Sequence, residues 1–186
     1  MATKIGVIAE DNSDVDVIKE ILSKYLKKEA FSITHFVGKG CGKLKSKCAA
    51  WVDQLEKKGC KHIFLFHDLD RNKEENLKRE LTKKLENCSF PSTLIIIPRE
   101  ELEAWLLADT EAIRRVFAIQ KKIKPFADIE QVKSPKEHLE RLVRQQSEKK
   151  YLNTIHNKKI ASEIDVSLLE NYPSYQPFHN YVTTRI

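Results

Sequence analysis

Three acidic side chains stand where a chain could handle phosphate chemistry. Glu10 follows the apolar run "KIGVIA", and Asp68 and Asp70 follow the apolar run "HIFLF". Residues two apart in an extended chain point the same way, so Asp68 and Asp70 can grip one ion together. A hard divalent cation, Mg²⁺ or Mn²⁺, takes such carboxylate oxygens and keeps several waters. Three acids at one place repel each other unless a cation sits among them or one stays protonated. Glu10 completes the set, as general base or as a ligand that orients an attacking water. Glu101 and Glu103, in "REELEAW" after a fourth apolar run, could supply a second ion. For Glu103 a cap or an ion pair within its own helix is the alternative. Asp14 reads as an acidic first-turn residue favoured by the helix dipole. The bland reading of an Asp-x-Asp is a turn, which Asp favours for its own reasons.

These acids converge only if the elements carrying them share one edge. "KIGVIA", "FSITHFV", "HIFLF" and "STLIIIP" read as strands, and helical patterns separate them. The first helix, "SDVDVIKEILSKYLKK", has Ser13 as its expected N-cap; the second, from about Leu44 to Lys58, closes at Gly59. Continuous apolar strands alternating with helices predict a parallel sheet covered on both faces. Right-handed crossovers then put every strand's C-terminal end on one edge, where open α/β sheets bind ligands. After Pro98 the pattern is helical: two short helices break near Asp109 and Thr110, with Thr110 as the expected cap of the second. Ser134 and Glu137 read as a capping box for "SPKEHLERLVRQQ". The expected fold is therefore α/β, a four-stranded parallel sheet flanked by helices (residues 1–109), with a helical C-terminal extension (residues 110–186).

Composition sets further bounds. The chain has 186 residues, 32% of them charged, and no apolar run approaches the roughly 20 residues of a membrane span. The N-terminal apolar stretch is too short for a signal peptide. A cytoplasmic protein that keeps off membranes is the expectation. Cys41, Cys48, Cys60 and Cys88 show no close-spaced pair, so reduced thiols are expected rather than structural zinc. The net charge of +6 lies in residues 119–160, where eleven Lys and Arg face five Asp and Glu. A basic region beside an acidic site suits a polyanion, DNA or RNA; a solvated lysine-rich face is the plainer reading. Candidates for phosphate contact are Lys39 and Lys43 in "GKGCGK", with Arg99, Lys133, Lys136, Arg141 and Arg144. The "GKGCGK" loop could cradle a phosphate on its N–H groups or serve as a plain turn. His67, His156 and His179 read as core or surface histidines, and Trp105 as a packing residue.

Two resemblances sharpen these readings. "VIAEDNSD" resembles the start of bacterial receiver domains, which would make Asp68 a phosphoacceptor with Glu10 and Asp11 on Mg²⁺. The likeness ends there: "IIIPREELEAW" lacks the Ser or Thr that closes a receiver's fourth strand, and no fifth strand ending in lysine is legible. Glu10 followed by Asp68-x-Asp70 more closely resembles the Toprim superfamily of topoisomerases, primases and overcoming-lysogenization-defect nucleases. There the first motif usually continues with glycine, where this chain has Asp11. "ELEAW", "PKEHLERLV", "YLNTIHNKKIASEID" and "YPSYQPFHNYV" extend the likeness over almost the whole chain to domain-of-unknown-function family 4276. The resemblance implies a Toprim-like sheet and an Mg²⁺-dependent nuclease, working with an ABC-type ATPase in antiphage defence. The alternative is a non-catalytic Toprim-like subunit that binds within an ATPase complex. The oligomeric state is left open, a homo-oligomer included.

Overall fold

The four apolar runs are strands β1 (Thr3–Ala9), β2 (Phe31–Val37), β3 (His62–Phe66) and β4 (Leu94–Ile96) in the computed structural model, which describes residues 2–90 and 92–186. All pairings are parallel, in the order β2-β1-β3-β4. Helices α1 (Asn12–Tyr25), α2 (Cys41–Lys57) and α3 (Glu74–Leu85) make the crossovers. Beyond β4 come α4 (Glu103–Leu106), α5 (Thr110–Phe117), α6 (Pro135–Gln146), α7 (Asn153–Glu163) and α8 (Gln176–Arg185). The α/β fold with a helical C-terminal extension is the one the hydrophobic pattern predicts.

Strand periodicity divides the core in two. Val7, Ala9, Phe64, Phe66 and Ile96 point to one face, where α1 and the helices after β4 cover them. Ile8, Ile63, Leu65 and Ile97 point to the other, against Leu44, Val52 and Leu55 of α2 and Leu77 and Leu81 of α3. Alternate residues of a strand face opposite ways, so a sheet covered on both sides reads as an unbroken apolar run. Trp105 is fully buried on the first face, packed edge-on against Phe66 and Tyr175, with its indole N–H donating to Ser174 Oγ at 3.1 Å. It packs, as its spacing with Leu102 and Leu106 predicts.

Four helix starts differ from expectation. Asp11, not Ser13, caps α1: its carboxylate accepts from Ser13 N (2.7 Å) and Asp14 N (3.2 Å), and Asp14 Oδ2 accepts from Asp11 N (3.1 Å). A reciprocal box of this kind satisfies several helix-end donors, and Asp carries the charge that Ser lacks. Asp109, not Thr110, caps α5 through Oδ1, while its Oδ2 accepts from Asp165 N at 3.0 Å. Ser134 precedes α6 at φ 50°, a left-handed conformation in which its side chain makes no capping bond. The Ser134–Glu137 box is therefore not formed. Helix α2 starts at Cys41, three residues ahead of expectation, and ends as expected at Gly59, which sits at φ 80°.

The β2–α2 connection is tied to the end of β1. Gly38 N and Lys39 N donate to Ala9 O (3.0 Å) and Glu10 O (2.8 Å). A Cβ on Gly38 would lie 2.7 Å from Gly40 O and 2.8 Å from Leu44 Cβ, inside contact distance of backbone and core. Gly38→Ala should therefore cost about 1–3 kcal/mol in urea denaturation, as other overpacking substitutions do. A loss below about 0.5 kcal/mol would mean that the loop relaxes freely and does not hold Glu10 in place.

Candidate active site

Strands β2 and β3 flank β1 on opposite sides, so the chain reverses its winding direction between β1 and β3. The crevice at the carboxyl ends of those two strands is the usual ligand site of such a sheet. Extending the register Ile8↔Leu65 by two residues sets Glu10 opposite His67, with Asp68 next in line. Glu10 and Asp68 thus come together at the switch point. Asp70 follows in a left-handed turn at φ 49°, so the extended backbone expected to align it with Asp68 is not formed; its N–H donates to Glu100 O at 3.1 Å across to the β4 loop.

Several of the acids are held by one oxygen each. Asp68 Oδ1 accepts from Leu102 N (3.0 Å), Asp14 Oδ2 from Asp11 N (3.1 Å), and Glu101 Oε2 from Lys136 N (2.8 Å). Glu103 Oε1 accepts from Asn157 Nδ2 at 3.0 Å. Glu103 thus neither caps its helix nor pairs within it: its partner lies on α7. Glu10 Oε1 is buried with no hydrogen-bond partner among the described residues, 3.5 Å from His67 Nδ1. His67 Nδ1 is 2.7 Å from Asp68 O, a distance that fixes the proton on Nδ1 and leaves Nε2 a buried acceptor without a partner.

Crowding shows in the proton affinities. Burial first, then the charge of Asp70, raises Glu10 to about 7. Burial and the neighbouring Asp14, Glu10, Glu103 and Asp70 hold Asp68 well above the usual carboxylate range. Burial together with Asp11 and Glu103 does the same for Asp14, and burial raises Glu103. Burial lowers His67, which keeps the imidazole neutral. A carboxylate poised near 7 suits a general base.

The donor set fits a hard divalent cation. Every candidate donor is a carboxylate oxygen, and tethering one oxygen of an acid leaves the other for an ion. Among the described residues, no three His, Cys, Asp or Glu side chains stand in an arrangement that could hold a metal ion by themselves. Mg²⁺ does not need such a cage, since it usually binds through one or two carboxylates and retains water. Two adjoining cavities, of about 290 and 790 Å³, open beside Asp70 and share Arg71 and Glu100. The smaller includes Glu101 and Ser134, the larger Asn72, Arg99 and Lys133.

The basic candidates divide. Lys136 belongs to the site: its N–H holds Glu101, and its charge lowers the proton affinity of Glu103. Arg99 lines the larger cavity, 3.4 Å from Glu74. Lys39 and Lys43 are exposed around the start of α2, and the N–H groups of Gly38 and Lys39 are already spent on β1. Arg141 pairs with His138 further along α6, where Arg144 is also exposed. Sequence reading missed Asp14 as a member of the acid cluster and Asn157 and Arg71 entirely. The spacing Glu10-x-x-x-Asp14 was a usable signal, since a first-turn residue of α1 faces the end of its own strand. Nothing local marks Asn157.

Among known families, the one described as domain of unknown function (DUF4276) matches residues 9–183, a span that holds every acid of the site. No curated protein and no solved structure matches the chain. The arrangement predicts a specific pH response. A carboxyl whose folded value is raised stabilises the fold below its unfolded value, ordinarily 4.5, and that gain is lost as pH rises through about 7. In chelating buffer, the unmodified protein should lose about 2 kcal/mol more than Glu10→Gln between pH 5 and pH 7.5 in urea denaturation. Equal losses would show that Glu10 ionises as it does in water.

Proposed function

The chain belongs to the family described as domain of unknown function (DUF4276), and on that premise we propose that it is a Toprim-type, metal-dependent phosphodiesterase acting on nucleic acid. The observation that carries the reading is Glu10 Oε1, buried without a partner among the described residues, beside Asp68 at the switch point of a parallel sheet. A buried carboxylate oxygen left unpaired is costly, and a bound cation would remove that cost. Glu10, Asp68 and Asp70 would hold Mg²⁺ or Mn²⁺, with Glu101 and Glu103 available for a second ion and Asp14 joining them. The ion would supply Lewis-acid polarisation of the scissile phosphate and neutralise charge on the leaving oxygen.

The protein's own groups would do the rest. Glu10 would act on the attacking water either as its general base or as the ligand that orients it. The water oxygen bonds to phosphorus, and the ester oxygen on the opposite side departs with the bonding pair. His67, neutral and hydrogen-bonded to Asp68 O, keeps a fixed orientation beside Glu10. Arg71, Arg99 and Lys133, around the adjoining cavity, would attract the backbone phosphates, and the charge of Lys136 acts on Glu103. Such contacts position a polyanion without reading its sequence, which suits DNA and RNA equally. Toprim membership, a cytoplasmic setting, an ABC-type ATPase partner and an antiphage role rest on the sequence resemblance alone.

Incubation of the purified chain with labelled DNA and RNA, in Mg²⁺ or Mn²⁺ and with or without a cognate ATPase, tests the proposal. Metal-dependent cleavage should fall at least 100-fold in Asp68→Ala and in Glu10→Gln, as expected when a group that handles a proton or charge in the transition state is lost. Cleavage that survives in Asp68→Ala would sink the mechanism. No cleavage of any nucleic acid would favour a binding subunit instead.

A further inference from the structure

Asn157 lies on α7, far along the chain from the acids, yet it is buried to 1% exposure at their edge. Its Nδ2 donates to Glu103 Oε1 and to Ser13 Oγ, both at 3.0 Å, and its Oδ1 accepts from the Tyr151 hydroxyl at 2.6 Å. Both amide N–H bonds are thereby used, and the carbonyl is fixed by a phenol. The opposite amide orientation would press the carbonyl oxygen against the Glu103 carboxylate, so the chemistry of the partners dictates this one. Asp14, Asp68 and Glu101 are held by backbone N–H groups, whereas Glu103 is held by a side chain. The donor is neutral, so it steadies the carboxylate without neutralising it. Lys or Arg in that place would compete with a cation for the same charge.

We propose that Asn157 is a positioning residue for the metal centre: the C-terminal extension reaches into the acid cluster through it and orients Glu103, leaving Oε2 for the ion. The proposal rests on the metal-site reading above. It assigns residues 151–157 a part in assembling the centre, with Tyr151 locking the amide and Ser13 sharing it. The N-terminal turn of α1, α4 and α7 then meet at one polar point within an otherwise apolar interface.

Isothermal titration of Mn²⁺ into the purified protein, without nucleic acid, tests it. Asn157→Leu should weaken Mn²⁺ binding about 10-fold, the lower end of what losing a ligand's supporting hydrogen bond costs. Tyr151→Phe should weaken it by a smaller factor, about 3-fold, because the amide remains but is no longer locked. In a Glu103→Gln background, Asn157→Leu should add less than about twofold, since the two residues act as one unit. A merely structural role would lower the melting temperature of the metal-free variant, keep Mn²⁺ affinity within twofold, and give losses that multiply in the double variant. That result overturns the proposal. If Asn157→Leu does not fold, unchanged affinity in Tyr151→Phe overturns it. Failure of the unmodified protein to bind Mn²⁺ would bring down the metal-site reading itself, and Asn157 with it.

Discussion

The repulsion among carboxylates at one sheet edge is the constraint around which this molecule is built. Burial and mutual charge raise Glu10, Asp14 and Asp68, and burial raises Glu103. Two carboxylates about 4 Å apart repel by roughly 4 kcal/mol at an effective dielectric constant of 20. A hydrogen bond to a charged group returns roughly 1.5–3 kcal/mol. The tethers from Asp11, Leu102 and Asn157 can therefore orient the acids, yet they cannot offset a fully ionised cluster. Either protons stay on the acids near neutral pH or a cation replaces them. The raised value of Glu10, close to 7, is the protonated answer to that imbalance.

The backbone around the site carries strain as well. Lys39, Asp70, Arg71, Glu100 and Ser134 all occupy left-handed conformations without being glycine. Such residues cost on the order of 1–3 kcal/mol each and persist where surrounding contacts over-determine them. Here the contacts are explicit: Lys39 N to Glu10 O, Asp70 N to Glu100 O, and Lys136 N, two residues after Ser134, to Glu101 Oε2. Each strained residue lies in or beside a connection that reaches across to the loop of a different strand. The loops are thus braced against one another, and two large apolar clusters beneath them supply the stability that the edge consumes.

Much of this was legible in the residues themselves. Four apolar runs with intervening helical patterns specify a parallel sheet, because only strands buried on both faces have no polar alternation. Glu10, Asp68 and Asp70 were legible because strand ends are marked by the change from apolar to acidic. The strand order was not legible: right-handed crossovers allow β3 to add on either side of the first pair, and packing decides. The caps went astray for a simpler reason. Ser13, Thr110 and Ser134 are all acceptable caps, but an Asp stood two residues before the first and directly before the second, and a charged oxygen is the stronger acceptor. Asp11, which departs from the glycine of the resembled motif, sits at φ −142°, an extended conformation that needs no glycine. Its side chain also gives α1 the cap that a glycine would lack.

Asn157 shows what a one-dimensional reading cannot reach. Its neighbours in the chain, "IHNKK", say surface, and its role depends on three partners brought by α1, α4 and the segment before α7. The helices after β4 are held in place by more than apolar contact. An apolar contact would tolerate sliding by a fraction of an ångström, because burial is non-directional. A triply bonded amide does not, since each bond has a preferred length and angle. Trp105 to Ser174 and Asp109 to Asp165 add two further directional links between the chain just after β4 and the last two helical segments. The C-terminal helices are thus registered on the acid edge by polar bonds and held there by apolar area, a division of labour that places side chains more finely than burial alone.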